Sequence, residues 1–292
     1  MTFKDALKTK DFVVTAHANL AQTPDADAVV RQGEILCPVV DAVQLTDSPG
    51  SEVQMSGIAA AALLLRKNID PIVHMTCRDR NRIALQSDFI GAAALGVTSV
   101  LLMRGNKMPE DMVPKVHSVF DVQPREIMAF IQKLKNADSV PLISDFLVGT
   151  VATVFDPEAD WMPNSLTGKC DVGANFVQTQ LCFDMGVLRN YMARIVASKL
   201  TRRLNFIVAL SPLPTAEVAR WMRDNVRGAL VPESIIERMD QASDPECEGI
   251  EICAEFLQEL TTIPGVSGAN LATIGKLETI PAAVDMSGVR LP

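Results

Sequence analysis

PIVHMTCRDRNRIALQSDFIGAAA, residues 71–94, is the stretch on which the fold turns. Ile72, Val73 and Met75 form a β-rich apolar run that also carries two polar side chains, His74 and Thr76, on one face by the two-residue alternation of a strand. A charged turn follows at Arg78–Arg82. A helical pattern then brings Ile83, Phe89, Ile90, Ala93 and Ala94 near one side. The segment reads as strand, turn and helix, with its polar side chains at the carboxyl end of the strand, where α/β folds bind ligands.

The same pattern recurs along the chain. Strands are expected at Phe12–Ala16, Ala42–Thr46, Pro71–Thr76, Ser99–Met103, Phe146–Ala152, Asn175–Thr179, Phe206–Leu210 and Gly268–Ile274. Helical patterns lie near 25–36, 51–67, 80–95, 124–135, 164–171 and 184–200. Two or more helices fill 214–263, and a short one follows Lys276. Eight alternations in 292 residues argue for a single (β/α)8 barrel, a TIM barrel, spanning 1–292. A doubly wound open sheet is the alternative, but no GxGxxG follows any expected strand. The segment 104–123, with two prolines and mixed charge, reads as a long loop after the fourth strand, on the face that carries function.

Composition limits the chemistry. With 48% hydrophobic and 21% charged residues the chain can bury a large core. A net charge of −8 excludes a broad footprint for nucleic acid. Six cysteines form no CxxC pair, and only three histidines are present, so a structural zinc site is not expected. The polar start lacks the apolar core of a secretory signal, and no apolar run has the length of a membrane span. A reduced cytoplasmic protein with small buried cysteines is the expectation; a homo-oligomer is compatible with everything in the sequence.

The stretch HMTCRDRNRIALQSD resembles a signature of the methylenetetrahydrofolate reductase family, flavin enzymes that interconvert methylene- and methyl-tetrahydrofolate. The resemblance runs over nearly the whole chain and is densest at 71–105 and 166–184. Where that family carries a glutamate after Thr-Ala, taken to protonate the folate as its five-membered ring opens, this chain has His17, and the two prolines that follow in the family are absent. An imidazole suits proton transfer near neutrality, so His17 is the expected catalytic residue, set against a histidine merely hydrogen-bonded at a barrel mouth.

Further positions follow from the same resemblance. Thr46, in LTDS, is similar to a TDN-type turn and would touch the flavin; alone, Thr46–Asp47 is an ordinary strand-to-helix cap. His74 and Thr76 would contact the cofactor, whereas a lone histidine on an apolar strand is more often a core residue. Arg78, Asp79 and Arg82 are either a solvated turn or an ion-pair cluster. The fourth strand ends MRGN: Arg104 and Gly105 match the family's ending and would hold the flavin. Asn106 stands where the family has an acid that contacts the pterin, and offers a donor and an acceptor without charge. After the fifth strand, Thr153-Val154-Phe155 replaces the family's small or aromatic residue and proline. Trp161 and Met162 beyond it either wall an aromatic ligand or pack a helix. Lys169 sits where the family keeps a lysine near the flavin phosphates. Gln178 and Gln180 share a face, and Gln180 lies in the family's TQ motif that contacts folate.

The resemblance implies an oxidoreductase passing a hydride between NAD(P)H and the one-carbon unit of tetrahydrofolate through FAD. Two alternatives stand beside it: direct hydride transfer from the nicotinamide without flavin, favoured by Asn106 and the altered fifth loop, and a folate-binding subunit without chemistry, favoured by the missing glutamate.

Overall fold

A computed structural model describes residues 1–109, 113–135 and 146–290. Residues 110–112 of the long loop expected after the fourth strand lie outside the described residues. In chain order the elements are α1 (Phe3–Thr9), β1 (Val13–Ala18), α2 (Ala26–Leu36), β2 (Ala42–Leu45), α3 (Gly57–Leu65), β3 (Pro71–Thr76) and α4 (Arg82–Leu95). Next come β4 (Ser99–Met103), α5 (Pro124–Lys135), β5 (Leu147–Ala152), α6 (Asn164–Asp171), β6 (Phe176–Leu181) and α7 (Met185–Ala197). The chain continues with β7 (Asn205–Leu210), α8 (Ala216–Asn225), α9 (Glu233–Gln241), α10 (Pro245–Leu260), β8 (Val266–Leu271) and α11 (Thr279–Ser287). All eight strands are parallel and pair in sequence order, and β1 pairs with β8 to close the barrel. The expected (β/α)8 architecture is the observed one.

Each strand reads as a short β-branched run because both its faces are covered, one by helices and one by the barrel interior. The outer face packs on the helical shell in the larger core, which includes Val14, Ala16, Val43, Val73, Val100, Val208 and Leu271. A smaller cluster fills the amino half of the interior: Val13, Ala42, Ile72, Leu101, Phe176 and Ile207. Helix α1, which the sequence reading passes over as a polar start, plugs this end. Its Phe3 ring meets Phe176 edge to face at 5.3 Å, and the Phe3 amide donates to Asp70 Oδ2 at 2.7 Å. Gly149 on β5 makes room for the Phe176 ring, since a Cβ there would lie 2.2 Å from it.

Local chemistry sets the helix ends. Asp25, Asn81, Asp184, Thr215 and Asp244 each accept a backbone N–H from the first turn of the helix that follows. Two expectations are corrected. The helix expected from residue 51 begins at Gly57, because Ser48, Gly50 and Ser51 all hold positive φ and fold the chain into a tight rim turn. On α4 the buried face is Leu85, Phe89, Ala92 and Ala93, while Ile83 and Ile90 are exposed. Seven residues apart, those two isoleucines share a face, but it is the one turned from the barrel.

Removing the α1 plug tests its share of the stability. Phe3→Ala deletes a fully buried aromatic side chain and should cost about 3 kcal/mol, read as a lower urea midpoint at unchanged slope. An unchanged midpoint would show that α1 docks without contributing.

Candidate functional site

Above the apolar plug, the interior changes character. Thr15 and His17 from β1, Gln44 from β2, His74 from β3, Gln178 from β6 and Asn270 from β8 are joined by hydrogen bonds inside the carboxyl half of the barrel. Gln44 is the centre: its Oε1 accepts from His74 Nε2 at 2.7 Å, and its Nε2 donates to Thr15 Oγ1 at 2.8 Å and Gln178 Oε1 at 2.7 Å. Thr15 donates to Asn270 Oδ1 at 3.0 Å. Asn270 Nδ2 lies 3.1 Å from His17 Nε2. The two imidazoles meet edge to face with centroids 5.2 Å apart. Every side chain here except His17 is buried; His17 keeps part of its ring accessible. Parallel register places them so, pairing His17 with Gln44 and Thr15 with Asn270.

No carboxylate or cation enters this network, and its electrostatics follow from that. Burial pushes the His17 imidazolium down to about 4, with the Gln44 amide opposing the shift. Burial also drives His74 well below the ordinary histidine value, and the neighbouring His17 pushes it the same way. Both rings are therefore neutral at physiological pH.

Charged groups collect at the rim instead. Asp47 accepts from the Thr76 amide at 2.6 Å, from Thr76 Oγ1 at 2.9 Å and from Arg80. Arg80 also reaches Asp88 at 2.9 Å. Arg78 is buried; its guanidinium forks onto Asp79 with two 2.7 Å bonds and holds Ser51 Oγ and the Ser48 carbonyl. Of the two readings of this turn, Arg78 and Asp79 form an ion-pair cluster, and Arg82 is exposed.

The remaining expected positions are distributed around this mouth. Thr46 donates to Gln54 Oε1 at 3.2 Å. Arg104 is exposed, its guanidinium 4.1 Å from the centroid of the Phe120 ring. Gly105 has φ +83, and a Cβ there would meet Arg78 at 2.8 Å, so the β4 end presses against the β3 turn as only glycine allows. Asn106 beside it is exposed. Lys169 donates to the Val151 carbonyl at 2.9 Å, and burial lowers its pKa, helped by Arg125. Gln180 is half-buried and, among the described residues, its side-chain amide has no hydrogen-bond partner. Trp161 packs on Tyr191 of α7 at 5.4 Å, with Phe155 against both, so it serves helix packing, and Met162 is exposed.

Of the groups that the resemblance assigns to a flavin, the side-chain donors of Thr46, Thr76 and Lys169 and the Nε2 of His74 are engaged within the protein. Arg104 is the exposed cation that remains. As arranged, the set does not fit a flavin distributed over those positions. No cluster of three or more metal-ligating side chains occurs among the described residues, and no helix among them is long and apolar enough to cross a membrane. A surface groove between α4 and α5, lined by Arg82, Gln86, Val122, Glu126 and Phe130, includes none of the inward-facing strand residues.

The neutral imidazoles tie stability to pH. An unfolded histidine takes up its proton near pH 6.5, while the folded rings resist it, so the unfolded chain binds more protons as pH falls below that value. Stability then drops, for His17 until about pH 4. Asp70, pushed up to about 6 by burial, acts in the opposite sense over the same range. His74→Gln cannot protonate, so its loss of stability between pH 7 and pH 5, measured by urea unfolding, should be smaller than that of the wild type. Equal losses would remove His74 as a cause.

Comparison with known proteins sets this geometry in a family. A family model described as Methylenetetrahydrofolate reductase matches residues 27–288. A "Probable methylenetetrahydrofolate reductase (NADPH)" of Caenorhabditis elegans is 29% identical over 142 residues, a match covering 48% of this chain and 20% of that protein. Among solved structures, an uncharacterized Clostridium thermocellum protein that "binds two copies of 5-methyl-5,6,7,8-tetrahydrofolic acid" superposes with a TM-score of 0.65 at 12% identity, over 97% of each chain. The EDTA monooxygenase EmoA from Chelativorans sp. BNC1 gives 0.55 at 11% identity, over 95% of this chain and 92% of its own. At such identities the structural likeness speaks for the barrel alone. The family match spans most of the sequence, and the chain belongs to the methylenetetrahydrofolate reductase family.

Proposed function

We propose that this chain is a folate oxidoreductase that interconverts 5,10-methylene- and 5-methyl-tetrahydrofolate, taking its hydride directly from NAD(P)H and holding no resident flavin. The observation that carries the reading is the network beneath the rim, built from amides, imidazoles and hydroxyls with no charge among them. A neutral pterin offers matching donors and acceptors to such a lining. Family membership supports the substrate class.

In this reading Gln180 and Asn106 contact the pterin, and His17 stands at the reacting end of the folate. Reduction of the methylene group takes one hydride and one proton, the proton going to the amine released as the five-membered ring opens. His17 is neutral through the physiological range, so it does not store that proton as an imidazolium. The engaged donors of Thr46, His74, Thr76 and Lys169 favour the flavin-free route over the flavin-dependent one. The neutral residues at 17 and 106 also favour a folate-binding subunit without chemistry, and turnover separates that reading from an enzyme.

The purified chain is expected to be colourless, to bind 5-methyl-tetrahydrofolate, and to oxidise NAD(P)H when methylene-tetrahydrofolate is added. Visible flavin bands that NAD(P)H bleaches and methylene-tetrahydrofolate restores would return the flavin-dependent reading. Failure to bind folate would overturn the proposal. Gln180→Ala should weaken folate binding about 10-fold, the worth of one good hydrogen bond. The pH profile of kcat/KM should show no limb near 6.5 from His17.

A further inference from the structure

Gln44 and Asn270 belong to none of the expected binding positions, yet between them they hold both imidazoles of the mouth. With the amides oriented as they stand, the bonds run in one direction, because each amide atom then acts in one sense only. Gln44 Oε1 can only accept, so His74 Nε2 carries a proton and donates it. The Gln44 amide nitrogen donates to Thr15 Oγ1 and Gln178 Oε1. With that lone pair taken, Thr15 turns its own proton to Asn270 Oδ1. Asn270 is left with Nδ2 toward His17, and an amide nitrogen donates, so His17 Nε2 holds a lone pair and the ring proton sits on Nδ1.

We propose that Gln44 and Asn270 are positioning residues that lock the facing imidazoles in opposite neutral tautomers, His17 protonated on Nδ1 and His74 on Nε2. Among the valences that the lock leaves for a ligand are the lone pair of His74 Nδ1 and the amide hydrogens of Gln178 Nε2. Neither atom has a partner among the described residues, although the two side chains are only 5% and 6% exposed. One is an acceptor and the other a donor, and Gln44 bonds both residues. An N–H beside a carbonyl, as on the edge of an oxidised or reduced pterin or a similar heterocycle, is the chemistry that satisfies them. This ligand assignment rests on the folate reading; the tautomer assignment does not.

The order of bonds also explains why neutral rings are kept here. Protonating His17 on Nε2 would set an N–H against the Asn270 amide hydrogens, two donors facing each other, and Asn270 could turn only by breaking its bond to Thr15. The groups facing His17 are His74, Gln44 and Asn270, and none of them carries a charge that would favour an imidazolium.

Long-range 1H–15N spectra of the full chain at pH 7 test the lock, with three histidines to assign and His117→Gln identifying the exposed one. The expected pattern is one buried ring protonated on Nδ1 and the other on Nε2. Two rings of the same tautomer, or an imidazolium at this pH, would overturn the lock. Asn270→Asp places an acceptor against His17 and should put a proton on Nε2, with or without loss of the one on Nδ1; an Nε2 that stays unprotonated would overturn the role of Asn270. Gln178→Met removes the free donor, and should keep both tautomers while weakening 5-methyl-tetrahydrofolate binding about 10-fold. Unchanged affinity would overturn the ligand assignment. If the wild-type chain fails to bind the folate, the functional reading falls and the spectra still decide the lock.

Discussion

A primary amide buried inside a barrel has to find partners for its carbonyl and both of its hydrogens, and the carboxyl half of this molecule is arranged around one that does. Gln44 bonds side chains from β1, β3 and β6, and through Thr15 its influence reaches β8. Leaving any one of these buried groups unpaired would cost about 1–3 kcal/mol. A single side chain thus fixes the relative rotation of inward-facing groups on five of the eight strands. Helix α1 and the apolar plug above it, with Phe3, Ile72, Leu101, Phe176 and Ile207, contribute hydrophobic stability and no direction to the polar network. Stability and orientation are therefore supplied by different halves of the same interior.

The rim completes this division by pairing its charges above the network. Asp47 is bound by the backbone and hydroxyl of Thr76 and by Arg80, and Arg78 closes on Asp79 beneath the Ser48–Ser51 turn. The β2 and β3 ends are thereby tied together, and the pressed contact of Gly105 adds the β4 end to them. These ion pairs lie where solvent screens them only in part, so they hold geometry as well as neutralising charge. Below them the two histidines meet no counter-ion; burial keeps both neutral, and for His74 the neighbouring His17 acts in the same sense.

What the sequence reveals, and what it hides, follows from the range of each interaction. The eight strands are legible because β-branched runs bounded by capping residues are local, and their parallel order follows from the helices between them. Helix α1 is hidden because it has seven residues, too short for a periodic signal, and its one decisive ring contacts Phe176 far along the chain. The phase of α4 is hidden because Ile83 and Ile90 make a convincing stripe until the cap at Asn81 and the barrel fix which face is covered. His17, His74 and Gln178 are legible as polar residues on strands. Gln44 and Asn270 are equally visible as lone amides in AVQL and GANL, a buried-strand pattern that ordinarily excludes them. Their partners, however, come from other strands, and only the register brings Thr15 to Asn270 and His17 to Gln44.

The neutral residues at positions 17 and 106, where the resemblance would place acids, are consistent with one another in this light. A carboxylate in the place of His17 would lie within reach of the His74 ring, raise its proton affinity and call for an imidazolium inside the barrel. Such a charge would in turn require the Gln44 and Asn270 amides to rearrange. With an imidazole at 17 and an asparagine at 106, none of these charges arises, and the amides can hold one fixed pattern of donors and acceptors. Position 17 therefore depends on the amides at 44 and 270: an acid placed at position 17 alone would put a charge in a network built for neutral groups. Inside this network a bound group would meet oriented dipoles rather than a resident charge.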